Sequence, residues 1–548
     1  MGELIIGPLL RYVGETEATI WVETSEPCEV EVLNGATKTF EVSGHHYALI
    51  QIDRLEPGSI NEYEVKLDGV RCWPLPESKF PASVIRTLRP DGREEIVFGS
   101  CRVGFPHEKP FVLPKDQHED GREYDALNAK AYELAELEPW DRPSLMILLG
   151  DQVYADDVSP EAREFIASRR DTSKPPGKEV ADFEEYCRLY WDSWGDEAIR
   201  WLLSTVSSSM IWDDHDVNDD WNISASWLAD MRETDWWQER VESAYMSYWI
   251  YQHAGNLSPD ELAEDETWAI IEGTEGDAGP ALREWAKKAE ASAEGSRWSY
   301  YRDIGRTRIV VMDSRAGRVL EKGRRSMFDD KEWDWITEHA RGDFDHLLLG
   351  TTLPMLLAPG LQSFEAWNEK LCESENSFVA ENSEKLRQAL DMEHWGAFSN
   401  SFEKLAELLR EIGSSENAPA SITVLSGDVH HAYLAEVGFP KGSGVRSAVY
   451  QAVCSPFRNP LNRRERTMMK VAHSSAARVL ARGLARSAGI ADPPIGWRFL
   501  ECPYFDNQAA TITLDGREAE MKLEKTRRDD ADTAGPPSLE CVFEHQLS

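Results

Sequence analysis

The stretch SLMILLGDQVYADD, residues 144–157, decides how the rest of the chain is read. Leu145–Leu149 is uniformly apolar, with no alternation of polar and apolar positions, which marks a strand buried on both faces. The run stops at Gly150 and Asp151, so a carboxylate stands at the carboxyl end of that strand. Tyr154 follows the turn three residues later and can point back to the same place. Alone, the phrase reads equally well as a capping aspartate beside a core tyrosine.

The same grammar recurs along the chain. EIVFGSC (95–101), SSSMIWDDHD (207–216), RIVVMDSR (308–315), HLLLGTTLP (346–354) and ITVLSGDVHH (422–431) are apolar runs that end abruptly in polar residues. Amphipathic helical stretches such as Glu239–His253 and Glu332–His339 lie between them. Buried strands alternating with helices predict an α/β domain, in which ligands gather beyond the carboxyl ends of the strands. Six such ends are therefore read as one site.

Residues 1–90 read differently. Period-two alternation over 18–22, 29–33, 47–52 and 63–67, with Gly, Pro and Asn turns, predicts short strands. IDRLEPGSINEYEVKL, with Leu55, Pro57 and Tyr63, resembles the end of an immunoglobulin- or fibronectin-type sandwich. LRPDGREE reads as a linker, giving domains at 1–90 and 91–548. Insertions are expected near 255–300, an acidic Gly/Ala-rich surface excursion, near 355–400, and at 461–487, a basic helical stretch. That last segment is expected to pack on the protein's own acidic surface, or else to cover the site entrance or touch an anionic substrate or lipid surface.

The 548 residues exceed one compact core, and 20 Trp argue for folded aromatic cores. With 59 Lys+Arg against 98 Asp+Glu the net charge is −39, which repels phosphate backbones and argues against a nucleic-acid scaffold. The acidity otherwise serves solubility, or gathers carboxylates for hard cations. No run of about 18 apolar residues predicts a membrane span. The N-terminal MGELIIGPLL lacks a basic n-region or twin arginine. Eight cysteines without a CxxC predict reduced thiols and a cytoplasmic protein, although Cys28 and Cys72 could bridge two N-terminal strands.

IWDDHDVNDDW, residues 211–221, is the most specific phrase: five Asp, one Asn and one His directly after an apolar strand. Crowded carboxylates repel, which is tolerable only where cations or solvent neutralise them, and Trp212 and Trp221 speak against full exposure. In LSGDVHH, Asp428 and His430 alternate on one side of an extended strand end, a good oxygen/nitrogen ligand pair. Cys101 is by default a small buried hydrophobe; its place at a strand end favours a thiolate ligand. Arg315 can either clamp phosphate oxygens or form a surface salt bridge to Asp313.

GDQVYADD resembles the GDxxYAD phrase of purple acid phosphatases within the metallophosphoesterase superfamily. Together with GSC, WDDHD and GDVHH, it resembles the PhoD-like alkaline phosphatase/phosphodiesterase family over about residues 94–457. The resemblance implies a four-layer αββα sandwich behind an N-terminal immunoglobulin/fibronectin-like domain. It implies that Asp151 bridges two metals and that Cys101 and Tyr154 bind Fe3+ in a coloured charge-transfer site. Asp214 stands where the superfamily has the Asn of its GNH motif, and His215 is then the acid beside the leaving group. Asp428 replaces the first His of GHxH, and His430 matches the second. Ca2+ is implied beside the iron, with ligands sought among Asp216, Asn218 and Asp219; at Asp219 many relatives carry Asn. GTTLP lacks the superfamily's usual metal-binding His.

The expected function is hydrolysis of a small-molecule or lipid phosphate mono- or diester by hydroxide held at an iron-containing multinuclear site. Cations neutralise the anionic ester and lower the pKa of water from about 15.7 toward 7, and a general acid such as His215 stabilises the leaving alkoxide. The alternatives are a Zn2+ or Mn2+ nucleotide or phosphodiester hydrolase on the same fold, and a non-catalytic, metal-stabilised binding protein.

Overall fold

The structure, a computed structural model, describes residues 2–89, 92–527 and 535–548. Pro90 and Asp91 of the expected linker lie outside the described residues. The N-terminal strands are β1 (Leu4–Val13), β2 (Ala18–Thr24), β3 (Glu29–Val32), β4 (Gly35–Lys38), β5 (Phe40–Val42), β6 (His45–Ile52), β7 (Ile60–Glu62), β8 (Val65–Leu67), β9 (Val70–Trp73) and β10 (Val84–Arg86). They form sheets ordered β1-β2-β6-β5 and β4-β3-β8-β9, plus the pair β10-β7. Period-two alternation separates two cores on β2: Ile20 and Val22 join Val30, Val65 and Leu67, whereas Trp21 joins the main core of the molecule with Leu9, Tyr47 and Leu49. The first sheet is thus covered on both faces. Tyr63 Oη donates to Ser204 O at 2.6 Å and Arg302 Nη1 to Arg11 O at 3.1 Å, fixing these strands to the larger body.

That body carries β11 (Glu94–Gly99), β12 (Leu145–Leu149), β13 (Ser207–Ile211), β14 (Tyr300–Ile304), β15 (Thr307–Met312), β16 (His346–Thr351), β17 (Ser421–Ser426), β18 (Ala432–Gly438), β19 (Ala448–Val453), β20 (Gly496–Tyr504), β21 (Gln508–Asp515), β22 (Glu518–Arg527) and β23 (Ser538–Gln546). The six-stranded sheet runs β13-β12-β11-β21-β22-β23 and the seven-stranded sheet β14-β15-β16-β17-β19-β18-β20. Strands β11, β12 and β13 are mutually parallel, as are β15, β16, β17 and β19. This is a mixed α/β fold. Leu348 on β16 shares a core with Phe98 and Ile147 of the other sheet, while Leu347 and Leu349 turn the opposite way, onto Ile336, Leu405 and Leu409 of the helices. The last four strands complete both sheets and lie beyond residue 457, where the motifs that carry the resemblance end.

Residues 255–300 correct the expected surface excursion. They fold into helices Pro259–Glu264, Glu266–Glu272 and Gly279–Glu290, and Leu282, Ala286 and Trp298 are buried in the main core. Small apolar residues every third or fourth position supply a packing face that the acidic composition concealed. The segment 355–400 supplies helices Pro359–Cys372 and Ser377–Ala389. Cys28 and Cys72 are free thiols. No helix among the described residues is long and apolar enough to cross a membrane.

Candidate metal centre

Chain segments just past four parallel strands build the centre. Cys101 lies beyond β11, Asp151 beyond β12, Asp213 and Asp214 beyond β13, and Asp428 beyond β17. The turns leave the sheets sharply: Cys101, Asp151, Asp428 and His430 have φ of 55, 53, 64 and 50°, a left-handed backbone costing roughly 1–3 kcal/mol per residue. Local packing enforces it. A Cβ on Gly150 would sit 2.6 Å from Asp213 Cβ, and one on Gly427 would collide with Ser100 Oγ. Asp428 N–H donates to Ser100 Oγ at 2.9 Å, which ties the β17 turn to the β11 turn.

Three ligand groupings result, each with its atoms within 4.8 Å of one another: Cys101, Asp151 and Asp428; Asp151, Asp213 and Asp214; and Asp156, His215 and Asp219. Asp151 belongs to two of them. Its Oδ2 accepts from Tyr154 Oη at 3.2 Å, and its buried Oδ1 has no hydrogen-bond partner, nor has Asp213 Oδ2. Asn459 Nδ2 donates to Tyr154 Oη at 3.4 Å. Orphaned buried carboxylate oxygens are costly unless a cation completes them, so this donor set of hard oxygens with one thiol fits metal ions.

Burial pushes the Cys101 thiol well up, and Asp151 and Asp428 push it further. Burial likewise raises Asp151, assisted by Asp214, Asp213 and Asp216. Behind the loop, Trp212 stacks on Tyr248 at 4.2 Å and meets Trp221 edge-on at 4.7 Å, so aromatic faces back the carboxylates. Burial opposes charge on His215, but Asp156, Asp214 and Asp151 outweigh it and hold the imidazole protonated well above its usual range. Asp156 accepts from His215 Nδ1 at 2.9 Å, leaving Nε2 facing Asp219 at 3.8 Å. The His215 ring lies against Tyr154, with centroids 4.5 Å apart.

Other expected residues fall elsewhere. His430 is outside these three groupings; burial lowers its imidazole to about 3, so it is a neutral donor near Asp428. Asp216 and Asn218 lie outside the three groupings and are hydrogen-bonded within the protein. Asp216 Oδ2 accepts the backbone N–H of Asp151 and of Asp213, each at 2.9 Å, and Asn218 Oδ1 accepts from Arg240 at 2.6 Å. Asp216 thereby fixes two ligand-bearing turns relative to each other. Arg315 corrects both expectations made for it: it is fully buried, and Asp313 takes only its backbone N–H. Its guanidinium is engaged by Asp213, Asp214 and Glu393, so its fork neutralises the carboxylate cluster instead of reaching outward for phosphate.

Asp213, Asp156 and His394 were missed. The first two stand beside chosen residues in WDDHD and YADD, where spacing alone cannot say which carboxylate turns inward. His394 comes from the 355–400 segment and carries no local signal. Its Nδ1 bonds Glu365 at 2.8 Å and its Nε2 lies 3.6 Å from Asp428 Oδ2. Burial opposes its charge, yet Glu365 and Asp428 raise it well above the imidazole range.

A family model described as PhoD-like phosphatase matches residues 120–483. The chain belongs to that family. Membership makes this PhoD-like chain a phosphatase-type hydrolase, and together with the candidate metal-binding groupings it supports metal-dependent phosphoester hydrolysis. Residues 1–85 match a domain of unknown function (DUF7800). In fold, the PhoD-like chain is similar to a structure described as "Structure of PhoD", at 11% identity and a TM-score of 0.61, covering 100% of this chain and 90% of that one. A purple acid phosphatase, PPD1, from yellow lupin (Lupinus luteus) seeds aligns at 11% identity with a TM-score of 0.45, over 94% of this chain and 71% of that one. No curated protein matches the chain in sequence.

Proposed function

We propose that the chain hydrolyses phosphate mono- or diesters at a multinuclear centre containing iron. In this reading residues 1–90 are an immunoglobulin/fibronectin-like sandwich and 91–548 a four-layer αββα catalytic domain, working among the reduced thiols of the cytoplasm. The observation that carries the proposal is the convergence of Cys101, Asp151 and Asp428 from three separate strand ends, with Asp151 Oδ1 buried and unpartnered. Cys101, Asp151, Tyr154, Asp428 and the neutral His430 would hold Fe3+; Asp151, Asp213 and Asp214 would hold a second ion such as Ca2+, with Asp219 a further ligand from the neighbouring grouping beside His215. When bound, these cations supply positive charge for the phosphoryl oxygens and a more acidic water.

The chain's own contribution is positional and protonic. Arg315 limits repulsion among Asp213, Asp214 and Glu393 before any ligand arrives. Asp156, held ionised chiefly by His215 against burial, fixes the imidazole through Nδ1. The proton on His215 Nε2 is then available to a departing alkoxide. His215→Asn is expected to lower turnover of an alkyl phosphate by roughly 10²–10⁴-fold. The loss should be much smaller with p-nitrophenyl phosphate, whose leaving group needs no proton. Equal losses on both substrates would remove the general-acid role.

Elemental analysis of native protein, with paired assays on p-nitrophenyl phosphate and its bis-ester, tests the reading as a whole. Tyr154→Phe is expected to abolish a visible absorption band of the iron-loaded protein. Protein that holds stoichiometric metal and cleaves esters without such a band excludes the ferric–tyrosinate centre and leaves a zinc or manganese centre open.

A further inference from the structure

Two successive helices between β19 and β20, Arg463–Ala472 and Ser475–Ser487, are packed inside out. In the second, Ala481 and Ala485 are buried, while Val479 and Leu480 are 71% and 72% exposed and Leu484 is 41% exposed. The inward alanines lie against helix Pro359–Cys372, where a Cβ on Gly360 would stand 3.1 Å from Arg478 N. A helix of a globular protein ordinarily buries its largest apolar residues; this one buries its smallest. The exposed positions 476, 479, 480, 483 and 484 fall at i, i+3, i+4, i+7 and i+8, one continuous face. On the first helix, Met468 and Val471 are 68% and 61% exposed, three apart on one face.

Cations flank this apolar face. Residues 461–487 hold seven Lys/Arg and a single Glu in a chain of net charge −39. As expected from the sequence, several pair with the protein's own acids: Arg466 with Asp506 at 3.4 Å, and Arg482 and Arg486 with Asp492 at 2.9 and 3.0 Å. Arg464 and Arg478 have no ion-pair partner among the described residues, and both are exposed.

We propose that this helix pair docks the protein on an anionic lipid bilayer, with Met468, Val471, Val479, Leu480 and Leu484 entering the interface and Arg464, Lys470 and Arg478 meeting the headgroups. An outward apolar stripe edged by cations is the pattern of an interfacial amphipathic helix. A second copy fits less well, because a two-fold contact through this face would set Arg464, Lys470 and Arg478 against the same three cations. The repulsion between anionic lipid and the acidic body of the chain is screened beyond about 8–10 Å at physiological salt, so the local patch decides.

Cosedimentation of the full chain with lipid vesicles tests this independently of catalysis. Vesicles of mixed phosphatidylcholine and phosphatidylglycerol are expected to bind the protein at physiological salt, with binding weakened at high salt and on phosphatidylcholine alone. Val479→Ser with Leu480→Ser should lower partitioning at least roughly tenfold. Arg464→Glu with Arg478→Glu should do so on anionic vesicles only. Unchanged melting temperatures would show both variants folded. Absence of wild-type binding to anionic vesicles at physiological salt, or equal binding by the folded variants, overturns the proposal. Concentration-dependent dimerisation without vesicle binding, lost in the Val479/Leu480 variant, would overturn it in favour of a second copy.

Discussion

Asp151→Asn is expected to lower phosphoesterase turnover by at least about 10³-fold, the scale of several kcal/mol of lost charge stabilisation. The same substitution should raise the melting temperature of the metal-free protein. Both outcomes follow from one side chain. Asp151 belongs to two ligand groupings, so its loss weakens both. Without cations, however, it is a buried carboxylate pressed by Asp213, Asp214 and Asp216, which holds its pKa well above the ordinary range. A neutral isostere relieves that repulsion. Metal content, turnover and thermal melting with and without chelator read the three effects separately. A variant that keeps full metal stoichiometry and activity would remove Asp151 from the centre.

The second large effect concerns pH. Burial raises Asp216 to about 7; burial together with Glu393, Asp391 and Asp219 raises Asp220 to about 9. Asp151 and Asp213 are raised as well. A carboxyl with a folded-state pKa above its unfolded value near 3.8 binds protons more strongly in the folded chain. Its contribution to stability is therefore full below about pH 4 and is lost as pH rises through 7 to 9. Chelator-treated protein should melt at progressively lower temperature between pH 6 and pH 9. Cations bound at Asp151 and Asp213 offset the charge left as these protons depart, adding about 4 kcal/mol per site at a thousandfold excess over Kd. The gap between loaded and metal-free melting temperatures should widen toward alkaline pH. A gap that stays constant or narrows over that window would mean that Asp151 and Asp213 do not face the metal.

Local pattern was enough for much of this protein. The uniform apolar runs ending at Cys101, Asp151 and Asp428 announced buried parallel strands, because only strands covered on both faces lack polar alternation. Their polar ends announced a site, and the period-two segments before residue 90 announced short strands. The tertiary structure decided what depends on direction and on distant segments. It turned Arg315 inward onto three carboxylates, since a guanidinium among Asp213, Asp214 and Glu393 is held more strongly there than in water. It committed Asp216 to two backbone N–H groups, a contact set by the juxtaposition of the β12 and β13 turns. It brought His394 to Asp428 from 34 residues upstream and completed both sheets with strands after residue 490. Sequence spacing fixes which residues share a strand or a helix face, whereas partners across sheets are selected by packing of the whole chain.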